Sequence, residues 1–285
     1  MSDINDYRNG INEIDTKMAE LFEERLQLCR KIAAYKQENS LSIRDQKVED
    51  LKVSKQKELI KDDEIRPYYV NFIRSTMDIS SSFQEMLLNG MKVAYIGDES
   101  TGSYRAAKKM FPDASFVALN DYKTAYEGVE SGEYNCAVLP LENSLSGEVG
   151  KVMDLMYQGS LSINQIYSDT EEAVGNEGAV NTTRYAAFTR SLNTADSKGR
   201  DNEQFIITFT VKNEAGALAS TLNIIGAHGY NMKSLRSRPL KGLAWKYYFY
   251  MEAEGDINTK DGRDMLQELS ALCADLKLIG SFIDE

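Results

Sequence analysis

The sequence predicts a multidomain chain of three unlike parts: an all-α segment with one very long helix, a short α/β segment, and an α+β ferredoxin-like sandwich. Three observations lead there. Apolar residues recur at steps of three and four from Ile4 to Tyr35. Short strand-like runs begin at Met91, where the period changes. The closing segment then spells βαββαβ. A length of 285 residues suits two or three domains of roughly 100 to 200 residues each.

The seam Ile4, Tyr7, Ile11, Ile14, Met18, Leu21, Arg25, Leu28, Ile32, Tyr35 holds one face without a proline. A helix on the order of 50 Å long follows, too long for a small globule, so it is expected to pack against a second copy as a homodimer. After a turn at "ENSLS" comes a helix from about Asp45 to Ile60. Pro67 opens a third helix that runs to about Leu88, and Gly90 stops it. From Met91, "KVAYI", "SFVAL", "NCAVLP" and "LSINQI" read as strands with helices between them. The acidic stretch "SDTEEAVGNEGAV" precedes a further strand, "TTRYAAFTR", and a polar linker, "SLNTADSKGRDNE". Then "QFIITFTV", a helix from Gly216, "NMKSLRSRP", "WKYYFYMEAE", a helix near 260 to 273 and "LKLIGSFI" complete the chain. The domains expected are 1–90, 91–190 and 203–285.

A net charge of -11 and a pI near 4.8 argue against broad binding to nucleic acid or anionic membrane, so an anionic ligand must meet a local cationic site. No apolar run is long enough to span a membrane, and the N-terminus lacks the pattern of a signal peptide, so a cytoplasmic location is expected. Cys29, Cys136 and Cys273 lack metal-ligand spacing and read as buried thiols. A single histidine, His228, speaks against a histidine-based triad. "GDESTGSY" has the glycine spacing of a phosphate loop, but Ser103 stands where its lysine would.

Arg25 interrupts the seam, and a buried guanidinium needs a carboxylate partner or an anionic ligand. A salt bridge within the bundle satisfies it as well as a ligand does. Arg8 and Lys36 flank the same seam, roughly 40 Å apart. Two such helices paired antiparallel about residue 19 would bring Arg8 of one chain beside the Arg25 to Lys36 stretch of the other. In the third helix, Ser80 and Gln84 interrupt an apolar stripe and face the interior. Asp45 and Glu49 put two carboxylates on one face of the second helix, where the helix dipole alone would also favour them. Together these groups suit a small dianion with ether and hydroxyl oxygens. In the middle segment Glu142, Asn143 and Ser144 follow a strand ending at Pro140, as a site or as a helix cap.

These residues carry a resemblance. "ELFEERLQLCRKIAAYK", "IRDQKVEDLK" and "TMDISSSFQ" resemble the all-helical chorismate mutase family, an intertwined dimer. The resemblance implies that Arg8 of the partner and Arg25 bind the substrate carboxylates and that Ser80 assists. Lys36 and Gln84 would donate to the ether oxygen, and Asp45 and Glu49 would hold the ring hydroxyl region. Val48 departs from the family, which has arginine there. "VAYIGDESTGSYRAA", "VLPLENSLSGEV", "DLM" and "NTTRY" resemble the prephenate dehydratase family. Glu142, Asn143 and Ser144 match one motif, and Thr183, as the catalytic threonine, and Arg184 match another. The several dozen residues that form the family's second lobe are missing before Thr183, so this activity is expected to be impaired. "EAGALASTLNIIGAHGYNMKSLRSRP" resembles the ACT regulatory domain, which implies phenylalanine binding by Gly216, Ala217, Leu218, Asn231, Ser237 and Arg238, with Arg236 in place of a glutamate. The domain order is that of the bifunctional chorismate mutase/prephenate dehydratase family. No cofactor or metal is implied; the alternatives are a fully bifunctional enzyme and a non-catalytic phenylalanine-binding regulator.

Overall fold

A computed structural model describes residues 4–171, 180–192, 202–240, 242–243 and 246–283. Most of the acidic stretch and of the polar linker lies outside them. The chain divides into two compact units, Met1–Gly90 and Met91–Glu285.

The first unit is three helices: α1 (Ile4–Glu38), α2 (Gln46–Lys57) and α3 (Arg66–Asn89). At 35 residues α1 is about 52 Å long. Asp45 caps α2, its carboxylate accepting from the backbone N–H of Lys47 and Val48. Pro67 lies in the first turn of α3, where its missing N–H costs nothing. The core is small, with Cys29, Ala33, Val53, Ile73 and Met77 buried. In contrast, the seam residues Ile4, Tyr7, Ile11, Ile14, Leu21, Leu28 and Tyr35 are all exposed.

The second unit is built on one mixed sheet. Its first part contributes β1 (Lys92–Ile96), α4 (Gly102–Met110), β2 (Ser115–Leu119), α5 (Tyr122–Ser131), β3 (Cys136–Asn143), β4 (Gly147–Glu148), α6 (Gly150–Gln158), β5 (Ser162–Glu171) and β6 (Asn181–Thr189). The second contributes β7 (Glu203–Thr210), α7 (Ala217–Ala227), β8 (Asn231–Pro239), β9 (Tyr247–Glu254), α8 (Lys260–Leu272) and β10 (Ala274–Ile283). The strands lie in the order β2-β1-β3-β6-β5-β10-β7-β9-β8, and β4 pairs with β3. Within the second part the neighbours are all antiparallel, the ferredoxin-like arrangement.

The sheet runs on from one part to the other where Gly280 of β10 pairs with Ile163 of β5. Any Cβ at Gly280 would collide with the Ile163 carbonyl, so only glycine permits the approach. One core then spans both parts, joining Tyr126, Leu139 and Phe188 to Ile206, Tyr250, Ile279 and Phe282. The ammonium of Lys277 on β10 donates to the carbonyls of Met156 and Gly159 at the end of α6, and burial draws its pKa down.

His228, at the end of α7, meets α8 through both ring nitrogens. Nδ1 lies 3.0 Å from Asp261 Oδ1 and Nε2 3.4 Å from Glu268 Oε1. Only the imidazolium can donate to both. The Asp261 hydrogen bond, against a smaller desolvation cost and with Glu268 assisting, raises the pKa above its ordinary 6.5. The contribution to stability is therefore complete below the unfolded pKa and lost as pH rises through the folded one. The native protein's lead in melting temperature over His228→Gln is expected to shrink between about pH 5.5 and about pH 8.5. The sole imidazole resonance should titrate above 6.5; a midpoint at or below that value would contradict the double contact.

Candidate active site

The helical unit holds a cavity of about 480 Å³ between α1, α2 and α3. Arg25, Lys36, Asp45, Glu49, Ser80 and Gln84 all line it, so six of the residues singled out in the sequence converge. Arg8 is not among its lining residues and is exposed, about 25 Å along α1 from Arg25.

The position of Arg25 bears on the two readings of the seam. Its Nε donates to Ser80 Oγ at 3.0 Å, and among the described residues no carboxylate lies within 4 Å of its guanidinium. Among the described residues of this chain, no salt bridge holds Arg25. Ser80 is oriented by its own bond to the Thr76 carbonyl at 2.7 Å, which leaves its oxygen free to accept from Arg25. Gln84 is 6 % exposed; Nε2 donates to the Ser80 carbonyl, and Oε1 is buried with no hydrogen-bond partner among the described residues. Such an orphan acceptor is costly unless a ligand hydroxyl or another donor meets it. Lys36 Nζ donates to the Ile43 carbonyl, which fixes the turn after α1 against the cavity. Asp45 lines the cavity from the start of α2, with one carboxylate oxygen engaged as the helix cap and the other not so engaged. Lys52 and Glu24 also line the cavity; their signal in the sequence, a charge on an amphipathic helix, is that of any solvated side chain.

In the sheet unit, Glu142 and Asn143 lie within β3 rather than in a loop after Pro140. The proline is tolerated because β1 pairs only with residues up to Val138, and the β3/β6 register shifts between Pro140 and Glu142. Nor do these residues cap the following helix: Val149 occupies the cap of α6 without a side-chain bond. Asn143 Oδ1 accepts from the backbone of Leu145 and Ser146, which turns Nδ2 toward Thr183 Oγ1 at 2.8 Å. With its oxygen accepting, the Thr183 hydroxyl hydrogen is available to a ligand. Ser144 Oγ donates to the Val180 carbonyl and accepts from the Thr182 N–H, pinning the end of β3 to the start of β6.

Glu142 and Arg184 are tied into a chain of charges. Arg184 grips the 2 % exposed Glu252 through both terminal nitrogens, at 2.7 and 3.1 Å, and reaches Glu142 Oε1 at 2.8 Å. Desolvation opposes its charge, but Glu252 and then Glu142 outweigh this and raise its pKa. Arg236 donates to the other Glu142 oxygen at 2.6 Å. This pairing spans 94 residues of sequence, and nothing in the sequence announces it.

Of the residues expected to bind phenylalanine, Gly216 begins α7 with φ of +84°, with Ala217 and Leu218 in the first turn. Ser237 is exposed on the edge strand β8, level with Phe249 and, beyond it, Phe209 at the end of β7 that leads to Gly216. Asn231, at the opposite end of β8, is bonded to Glu254. Arg238 is engaged inside the unit: its Nε donates to Asp154 of α6 at 3.0 Å, and its guanidinium packs over Gly150.

Comparison with known proteins follows the same division. The Chorismate mutase type II family matches residues 7–85, and the Prephenate dehydratase family matches residues 93–170. A bifunctional chorismate mutase/prephenate dehydratase of Aquifex aeolicus is 23% identical over 360 residues, covering 99% of this chain and 98% of its own. At least 75 of those 360 positions face no residue of this chain, which has 285. Among solved structures, prephenate dehydratase from Streptococcus mutans aligns with 68% of this chain and 98% of its own, at 23% identity and a TM-score of 0.57. Prephenate dehydratase from Arthrobacter aurescens, in complex with L-Phe, aligns with 68% and 90% at 16% identity and a TM-score of 0.59.

Proposed function

Because the chain belongs to the family of bifunctional chorismate mutase/prephenate dehydratases and carries the domain of each activity, we propose that it rearranges chorismate in its helical unit, dehydrates and decarboxylates prephenate in its sheet unit, and responds to phenylalanine through the βαββαβ part, read as an ACT domain. The observation that carries the mutase reading is Arg25: a cation in a cavity, hydrogen-bonded to a serine and without a carboxylate within 4 Å.

The rearrangement of chorismate is pericyclic, so the protein need supply no nucleophile. It must hold the compact conformer and stabilise negative charge growing on the breaking ether oxygen. Arg25 and Ser80 hold one carboxylate. Lys36 and the second Nε2 hydrogen of Gln84 address the ether oxygen, while Glu49 and the free oxygen of Asp45 face the ring hydroxyl. The second carboxylate falls to Arg8 of another copy, since Arg8 cannot reach the cavity of its own chain. The exposed apolar seam of α1 supports that pairing as a homodimer. Incubating the purified protein with chorismate and identifying prephenate tests the reading; an unchanged substrate would reject it.

For the second activity, the comparisons support the fully bifunctional reading over the impaired lobe expected from the sequence, and we adopt it. What supports impairment is narrower: the antiparallel pairing of β5 with β6, the next strand in the chain, and the engagement of Glu142 and Arg184 by internal partners. A non-catalytic regulator has less support, because it leaves the Arg25 cavity without a purpose.

The regulatory reading rests on the ferredoxin-like order of β7 to β10 and on the relative crystallised with L-Phe. Gly216 to Leu218 and Ser237 lie at one end of that sheet, whereas Asn231 and Arg238 have internal partners. Phenylalanine at millimolar concentration is expected to raise the melting temperature of the native protein and to give a calorimetric signal that Ser237→Arg weakens. Neither heat nor thermal shift in the native protein would reject it.

A further inference from the structure

The mutase cavity has a third cation of its own chain, and its ammonium is uncommitted. Lys52 lines the cavity from α2, one turn beyond Val48 and three residues beyond Glu49. Among the described residues no carboxylate lies within 4 Å of its Nζ, and it makes no hydrogen bond. Arg25 and Lys36, by contrast, each already donate to a protein oxygen. The charges lining the cavity are Glu24, Asp45 and Glu49 against Arg25, Lys36 and Lys52. Without Lys52 this chain's own lining would carry net negative charge, which Arg8 of another copy would bring only to neutrality, in a chain whose overall charge is already -11; Lys52 gives the cavity its cationic excess for a dianion.

We propose that Lys52 is a substrate-binding residue of the mutase cavity, holding a carboxylate of the incoming dianion. This rests on the mutase reading and deepens it. A lysine on a flexible stem at the cavity wall acts as a point charge rather than a fixed fork. Its effect belongs to binding and encounter more than to the rearrangement itself, so it appears in KM and in salt dependence.

The test uses the full-length protein and chorismate. Lys52→Met keeps most of the stem and removes the charge; it is expected to raise KM about five-fold with kcat within about two-fold, the scale of one partly exposed ion pair. Lys52→Glu is expected to raise KM further, by about 30-fold. Lys52→Arg should restore KM to near the native value. Adding salt should raise KM less steeply in Lys52→Met than in the native protein. Because the two positions lie one turn apart, Val48→Arg in the Lys52→Met background is expected to recover part of the lost affinity. If the native protein turns over chorismate while Lys52→Met and Lys52→Glu keep its KM and salt slope, this proposal is overturned and the mutase reading stands. A rise in KM that comes with a lower melting temperature and is not restored by Lys52→Arg would assign a structural role and overturn it as well. A native protein inert toward chorismate would overturn both.

Discussion

Arg25→Leu is expected to lower kcat/KM for chorismate by about 10²- to 10³-fold, the cost of removing one partner of a hydrogen-bonded charge pair. The same variant should melt at or above the native temperature, because the half-buried guanidinium has no carboxylate partner among the described residues and a seam leucine suits the apolar face. The combination is diagnostic. A structural arginine would lose stability on substitution, and a bystander would lose neither property. Complementation extends the test to the partner. Arg25→Ala and Arg8→Ala proteins, each inactive alone, should regain activity on subunit exchange, since one of the two cavities in a mixed dimer keeps both arginines. Demonstrated heterodimers without recovered activity would remove Arg8 from the site.

Thr183→Ala is expected to cut prephenate conversion by about 10²-fold or more, the scale of a lost proton donor. The reaction breaks the bond to the departing carboxylate and passes its electron pair into the ring. The ring hydroxyl then leaves as water once protonated, giving carbon dioxide and phenylpyruvate. Asn143 donates to Thr183 Oγ1, so the threonine's own hydrogen can point to that hydroxyl. Phenylpyruvate release by the native protein, corrected for the spontaneous reaction in acid, is the measurement. If the native protein gives none above that background, the reading fails and the single-lobed domain is catalytically silent.

The helices were legible because their signals are local. The seam from Ile4 to Tyr35 sets the period of α1, and Asp45 and Pro67 mark the beginnings of α2 and α3. Ser80 and Gln84 were legible for a related reason: two polar residues inside an apolar stripe need an explanation. Lys52 gave no such signal, since a lysine on a helix surface is ordinary until the facing helix makes it a cavity wall. Pro140 misled, because a proline reads as the end of a strand unless the neighbouring strands are known. The partners of Arg184, Arg236 and Arg238 lie 42 to 94 residues away along the chain, and no periodicity reports contacts of that span. The polar motifs were therefore visible as chemistry, but their engagement was not.

The backbone pairing of Gly280 with Ile163 bears on how this chain can be divided. A fragment ending near residue 190 would bare the flank of β5, with its unpaired N–H and C=O groups beside Ile163 and Ile166, which are now fully buried. An uncovered apolar strand of this kind templates pairing with other chains. The strand β10 thus covers the flank along which the first part would otherwise pair with other chains. Shortening the chain from its C-terminal end would remove that shield before it removed any catalytic group, and loss of solubility would be its first symptom.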